Sequence, residues 1–275
     1  MSNNPLQKYF RQPKVFIKLP SGGIYSKPGT IQGDVTHMPI FGMTGMDEII
    51  SKTPDALLTG ESTASLIASC CPNIKDPWEL SIIDLTIILA AIRIATYGNT
   101  MAVTHTCTNC NTENDYDLEL NRVIEHYMNC QYDSRIVLND LTIQLVPMTY
   151  RQSTEFNLKN FRLQQQVAQA EVMDDEKQRQ VLVAALFKDL ALVQNEIYKI
   201  TIESVSTGSQ VVTERAWILE WLENADRSVF DAIKAKNAQN NDAWTMPKFP
   251  VKCDTCGTDA NLTIELDQAN FFVKA

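Results

Sequence analysis

Apolar residues cover one stretch of this chain on every helical face and recur along another at regular helical spacing. Between Ser81 and Tyr97, Ile82, Ile83, Leu85, Ile87, Ile88, Leu89, Ala91, Ile92, Ile94 and Ala95 leave almost no polar side, the pattern of a helix buried all round. Ser81 with Asp84 resembles a capping box, and Gly98 stands where a C′ glycine belongs. Arg93 is its one cation, read as a paired core-edge arginine or a partner contact. Thr149 to Gln152 is a second capping box, and no glycine or proline follows until after Ser206. Leu182, Leu186, Leu190, Val193, Ile197 and Ile200 then predict two long helices, 150–172 and 175–205, joined near Asp174-Asp175-Glu176. Their heptad-like spacing suits an intramolecular helix hairpin better than an intermolecular coiled coil.

Shorter elements follow the same logic. Thr44 with Asp47 opens a helix carrying Ile49 and Ile50, and Pro54 fits the first turn of another. Ser62 or Thr63 caps a helix with Leu66, Ile67 and Cys70 that stops before Pro72. Helices at 213–223 and 226–238 are separated from the C-terminal segment by an Asn/Gln-rich loop, 237–241. Trp217 and Trp221 are read as core residues in preference to interface anchors. Alternation predicts a strand at Val15–Leu19 before the Pro20-Ser21-Gly22-Gly23 turn. It also predicts a hairpin at Arg135–Leu138 and Leu141–Val146 through Asn139-Asp140. Residues 1–13 read as a mobile or partner-docking arm, and Phe271-Phe272-Val273 docks on a neighbouring subunit or on the chain's own core.

Two cysteine pairs carry the chemistry: Cys107-Thr108-Asn109-Cys110 and Cys253-Asp254-Thr255-Cys256. Superposing Cys107 on Cys253 sets Thr112 on Thr258, Glu113 on Asp259, Tyr116 on Leu262, Leu118 on Ile264, Glu119 on Glu265 and Leu120 on Leu266. Each copy reads as a β-hairpin with two thiols at its tip, and two facing tips make a four-thiolate tetrahedral Zn2+ site. Asn111 and Gly257 follow the second cysteines, where a left-handed backbone is wanted. The alternatives are unliganded pairs packed as small hydrophobes, or a redox dithiol. His105 has no counterpart in the second copy and reads as a strand histidine. Four thiolates leave no open coordination position, so the expected metal is structural. The fold class is therefore α+β and mainly helical: a zinc-ribbon-like β unit of two CxxC knuckle hairpins with a helical insertion between them. The expected segments are 1–100 for the N-terminal arm, strand and helical region, 101–148 with 248–275 for the β unit, and 149–247 for the insertion.

Charge and composition narrow the function. The net charge is −9 with no basic run, which argues against a phosphate-binding surface. The N-terminus carries no apolar signal segment, and the apolar run Ile87–Ile92 is too short to span a bilayer. Seven cysteines, an odd number, fit a reducing cytoplasm. Cys70, Cys71 and Cys130 read as buried or idle thiols, with a redox role for adjacent Cys70-Cys71 the alternative. His37, His105 and His126 are the only histidines, and no nucleophile elbow, P-loop, dinucleotide or metalloprotease motif occurs. Nothing in the sequence supports an enzyme.

Four segments in order resemble the baseplate hub protein family of T-even-like contractile-tailed bacteriophages. They are Leu19-Pro20-Ser21-Gly22-Gly23-Ile24-Tyr25, Met43-Thr44-Gly45-Met46-Asp47-Glu48, Leu57-Leu58-Thr59-Gly60 with its downstream Cys70 or Cys71, and Asp84-Leu85 through Ile92-Arg93-Ile94-Ala95-Thr96-Tyr97-Gly98 into Cys107-x-x-Cys110. The similarity spans about 15–120. The first knuckle departs from the more usual Cys-Pro-x-Cys-Gly but keeps its thiolates. The resemblance implies a non-enzymatic structural or assembly protein that binds other phage baseplate or hub proteins, located in the virion tail baseplate or in the host cytoplasm during assembly. It leaves open a homo-oligomer, and whether the chain stays in the virion. No nucleic acid or membrane segment is expected. The rival readings are a zinc-ribbon nucleic-acid or transcription module and a thiol oxidoreductase using Cys107 and Cys110.

Overall fold

The computed structural model describes residues 4–51 and 59–264. They form an α+β fold of eight α-helices and small antiparallel sheets, dividing into two compact units: the described residues up to 131 with 244–264, and 132–243. The expected helix at Pro54 and the Phe271–Val273 tail lie outside the described residues, as do the Glu265 and Leu266 matches.

The first unit is built on α3 (Ile82–Tyr97), whose Ile87, Ile88 and Ile92 are fully enclosed. Strands β1 (Pro13–Ile17) and β2 (Met38–Phe41) pair antiparallel and pack on it, contributing Ile17, Met38 and Ile40 to the core. Just after β2 the backbone runs so close to α3 that a Cβ on Gly42 would meet the Ala95 carbonyl oxygen at 2.8 Å. Only glycine fits this approach. Met43 N–H donates to the Thr96 hydroxyl one step further on, at 2.9 Å. Helix α1 (Gly45–Ser51) starts at the anticipated Thr44/Asp47 box, with Thr44 N–H donating to Asp47 at 2.7 Å and Asp47 N–H to the Thr44 hydroxyl at 3.2 Å.

Two anticipated caps differ. Helix α2 (Glu61–Cys70) begins after Gly60 in the left-handed region, so Ser62 and Thr63 are inside its first turn and buried. The Ser62 hydroxyl is directed at the Ile50 carbonyl, 3.3 Å away. Ser81 does precede α3, but its side chain makes no cap bond, and Asp84 turns from the helix end to Ser21 in the 20–23 turn. Gly98 closes α3, donating to the Ile94 carbonyl at 2.9 Å. Strands β3 (Thr100–Thr106) and β4 (Glu113–Glu119) form the first hairpin, and α4 (Asn121–Asn129) follows, burying Val123 and Tyr127. The arm is not free throughout: Pro5–Tyr9 is an exposed 3-10 turn, but Arg11 is bonded to Gly42 and Ser69.

In the second unit, β5 (Arg135–Leu138) and β6 (Leu141–Leu145) make the anticipated hairpin, with Asn139 at φ 52° in its turn. The sheet then continues through β7 (Ile202–Ser206) and β8 (Val211–Val212). This corrects the helix expected to reach 205. Helix α6 (Glu176–Thr201) stops earlier because Ile202 and Val205 turn inward beside β6, where β-branched side chains suit a pleated surface. The pairing of β6 with β7 also puts the 135–145 hairpin in the same unit as the inserted helices. Helix α5 (Tyr150–Glu171) has the full Thr149/Gln152 capping box, and Asp175 caps α6 through Lys177 N–H and Gln178 N–H. The two pack as a hairpin that buries Ala170 and Leu186.

Helices α7 (Arg215–Asn224) and α8 (Arg227–Ala243) cover the sheet core with Ile218, Leu222 and Ile233. Residues 237–241, expected as a loop, continue α8. Asn240 is buried there and bonds the Asp133 backbone through both ends of its amide. Trp221 is half-buried, whereas Trp217 is 64% exposed, against the expectation of a core residue.

Candidate metal centre

The second cysteine pair is carried by a hairpin of the first unit, β9 (Phe249–Lys252) and β10 (Asp259–Leu262). The two knuckles have the same local construction. Cys107 N–H donates to Thr112 O and Cys253 N–H to Thr258 O, both at 2.9 Å. Asn111 N–H then donates to Cys107 O at 2.9 Å and Gly257 N–H to Cys253 O at 2.8 Å. Both closing residues are left-handed, at φ 55° and 69°. Glu113 and Asp259, matched in sequence, open β4 and β10.

The tips face each other. Cys107 Sγ lies 3.7 Å from Cys256 Sγ, and Cys110 Sγ 3.6 Å from Cys253 Sγ. All four sulfurs fall within 4.8 Å of one another, the one such group of ligating side chains among the described residues. The first thiol of each knuckle therefore meets the second of the other, so neither pair is a closed unit by itself. A tetrahedron with sulfurs about 2.3 Å from its centre has edges of about 3.8 Å, close to these separations. The set can hold one metal ion. His105 stands on β3 opposite Asn114 and is not part of the cluster.

Neighbouring polar groups prepare the sulfurs. The Thr258 hydroxyl lies 3.1 Å from Cys256 Sγ, and the Thr258 backbone N–H and the Asn109 side chain also face that sulfur. These bonds, the Thr258 hydroxyl foremost, hold the Cys256 thiol down to about 5. Cys253 is lowered chiefly by the Cys256 backbone N–H. At Cys107 the backbone N–H groups of Cys110 and Asn109 act in the same direction, but burial and the neighbouring Cys256 and Cys110 thiols leave it raised. Donated hydrogen bonds thus favour thiolate at Cys256 and Cys253, while burial and crowding oppose it at Cys107.

One contributor was not anticipated. Asn114 is buried on β4 and reaches across to the second knuckle, accepting Asp254 N–H at 3.0 Å with its amide nitrogen 3.5 Å from Cys253 Sγ. Its partner in the second copy is Ala260, so the repeat gave no sign of it. The available signal was an amide at the inward position of a strand that next turns Tyr116 and Leu118 the same way. Tyr116 also bridges the hairpins, donating its hydroxyl to the Lys252 carbonyl at 3.0 Å. The other cysteines are elsewhere. Cys70 and Cys71 are buried at the end of α2, where burial raises Cys70 to about 11 and Cys71 well above its ordinary value. Neither suits a redox thiolate. Cys130 is raised by burial as well.

The architecture is that of an α+β protein whose distinctive chemical feature is a four-cysteine cluster joining two hairpins. The family described as T4 bacteriophage base plate protein matches residues 16–273, and the chain belongs to that family. No curated protein and no solved structure matches the chain. Membership places it among phage baseplate proteins, which work in contact with other phage proteins. No described helix is long and apolar enough to cross a membrane.

Proposed function

We propose that the chain is a non-enzymatic structural or assembly protein of the tail baseplate hub, acting through contacts with other baseplate or hub proteins. A structural zinc ion on Cys107, Cys110, Cys253 and Cys256 braces it. The observation that carries the zinc reading is the cross-pairing of sulfurs from two like hairpins. Soft thiolates in a tetrahedral set suit zinc and disfavour hard ions such as magnesium and calcium. Bound there, the ion supplies a cross-link and keeps no position open for substrate or water.

The protein's own residues set up that role. Thr258 and Asn109 stabilise the exposed Cys256 as thiolate, and Asn114 fixes the second knuckle to β4 through the Asp254 N–H. The two hairpins form a zinc-ribbon-like β unit on this reading. Exposed Glu113, Asp115, Asp117 and Glu119 on β4 support a protein partner over nucleic acid.

Elemental analysis and native mass spectrometry of the full chain test the brace. One zinc per chain is expected, lost on serine substitution at any of the four cysteines and kept on substitution of Cys70, Cys71 or Cys130. Less than one zinc in protein purified without chelator, or retention by the single variants, would overturn it. The hub role is tested by mass spectrometry of purified virions beside infected-cell lysate. A fixed copy number in virions means a hub component, and presence only in lysate, bound to baseplate proteins, means an assembly factor. Presence only in lysate, without any baseplate protein, would refute both.

A further inference from the structure

We propose that the outer edge of β3 is a docking site for an extended segment of another protein, one carrying lysine or arginine at alternate positions, which adds to the β3–β4 ribbon as a third strand. The inference deepens the reading of the chain as a protein that works through protein contacts.

The backbone supplies the first argument. Among the described residues, strand β3 pairs only with β4, from Thr100 opposite Glu119 to Thr106 opposite Glu113. Cys107 N–H bonds Thr112 O at one end and Leu120 N–H bonds Asn99 O at the other. Bonded positions alternate in an antiparallel pair, so Met101, Val103 and His105 direct their peptide groups to β4. Thr100, Ala102, Thr104 and Thr106 direct theirs outward. Among the described residues of this unit, no backbone or side-chain group bonds that outer row. Natural sheets guard such an edge with charge, proline or a bulge. Thr-Met-Ala-Val-Thr-His-Thr has no acidic, Lys, Arg or Pro residue, and its register is unbroken.

Charge decides the occupant. Glu113, Asp115, Asp117 and Glu119 all lie on the exposed face of β4, directly across from Thr106, Thr104, Ala102 and Thr100. Asp115 accepts the Thr104 hydroxyl at 2.6 Å, and none of the four is ion-paired among the described residues. A strand added beside β3 would run about 10 Å from this row, a gap that a lysine or arginine and a facing carboxylate close together. Its other face would lie beside half-buried Met101 and Val103, which pack on the main core, so apolar residues fit between the basic ones. A second copy of β3 fits the backbone equally well. However, it would set two such acidic rows on one sheet face, in a chain of net charge −9.

The test uses the full-length protein and a synthetic Lys-Val-Lys-Val-Lys-Val-Lys peptide, with a Glu-Val peptide of the same length as control. Binding of the lysine peptide alone is expected, weakening with salt, with slowed hydrogen exchange at the amides of Thr100, Ala102, Thr104 and Thr106. Ala102→Pro removes an outward N–H and no β4 bond, so it should weaken binding at least tenfold at unchanged metal content. Exchange on the unaltered protein decides the matter should that variant misfold. Peptide binding that leaves these amides unprotected, or equal binding by folded Ala102→Pro, would overturn the proposal. So would protection that rises with protein concentration alone alongside a doubled mass, since the occupant would then be a second copy. None of these results bears on zinc content or on presence in virions, so failure here is distinct from failure of the hub reading.

Discussion

Asp84 accepts both hydrogen bonds that Ser21 can donate, although the two residues are 63 positions apart. One carboxylate oxygen takes the Ser21 backbone N–H at 3.0 Å and the other takes the hydroxyl. The hydroxyl in turn accepts Gly23 N–H at 2.8 Å. This fastens the 20–23 turn to the first turn of α3, and both residues are buried.

Burial, opposed by the Ser21 bonds, raises the Asp84 carboxyl from 3.8 to about 6. The folded protein therefore holds this proton more tightly than the unfolded chain. The stabilisation is complete below pH 3.8 and is lost as pH rises through about 6. At about 1.4 kcal/mol per pH unit, the change is on the order of 2–3 kcal/mol. Asp84→Asn keeps an acceptor for Ser21 N–H and offers its NH2 to the hydroxyl, without a titrating proton. Denaturant unfolding of both proteins at pH 4 and pH 7 should show Asp84→Asn gaining that amount on the parent as pH rises. Comparing the two removes the acid sensitivity of any bound metal, which both share. A pH-independent difference would refute the shift.

Arg11 makes the corresponding tie at the start of the chain. Its guanidinium donates to Gly42 O at 2.6 Å, Ser69 O at 2.7 Å and the Ser69 hydroxyl at 2.8 Å, and reaches Asp47 at 3.3 Å. One planar group thus links the arm to the entry of α1 and the end of α2. Arg11→Ala should cost about 1–3 kcal/mol, since carbonyls at Gly42 and Ser69 lose a charged donor. Arg11→Lys should recover less than half of it, because an ammonium cannot span both sites. Chemical denaturation of the three proteins measures this; full recovery by lysine would mean that charge alone matters.

These two ties show where sequence reasoning stopped. Thr44/Asp47 and Thr149/Gln152 were legible because a capping box lies within four consecutive residues. Ser81 and Asp84 have the same spacing, but Ser21 competes for the carboxylate from a distant turn. The thiol cluster was legible because its two halves repeat, whereas Asn114, the amide that joins them, belongs to one copy only. Strand β7 follows a long helix without a glycine or proline to mark the change, and its partner β6 is remote in sequence. The run at 237–241 has loop-like composition, yet the amide at 240 is there to satisfy a distant backbone.

Asn240 carries a prediction of its own. Its Oδ1 accepts Asp133 N–H and its Nδ2 donates to Asp133 O, both at 3.0 Å, while Lys236 pairs with the Asp133 carboxylate. Asn240→Ala would strand both peptide groups, costing about 2–3 kcal/mol. Asn240→Asp keeps the acceptor but loses the donor, and sets a second carboxylate beside Asp133. Its deficit should grow as pH rises above about 4, where that carboxylate ionises. Thermal unfolding at pH 4 and pH 7 separates the two variants: the alanine deficit should stay constant and the aspartate deficit should widen.

The two knuckle turns provide a final, internally controlled comparison. Gly257 and Asn111 occupy the same left-handed position, and both donate to the first cysteine of their pair. A Cβ on Gly257 meets nothing within 4 Å, so Gly257→Ala adds backbone strain without a clash. That strain is about 1–2 kcal/mol for a residue other than glycine or asparagine. Since metal binding in such a site is coupled to forming the turn, the affinity should fall about 5- to 30-fold. Asn111→Ala should lose a similar amount, while Asn111→Gly should bind at least as tightly as the parent. Competition against a chromophoric chelator reads all three. Equal affinity for Asn111→Ala and Asn111→Gly would show that the turn forms without help from its closing residue, and that the thiols alone set the strength of the site.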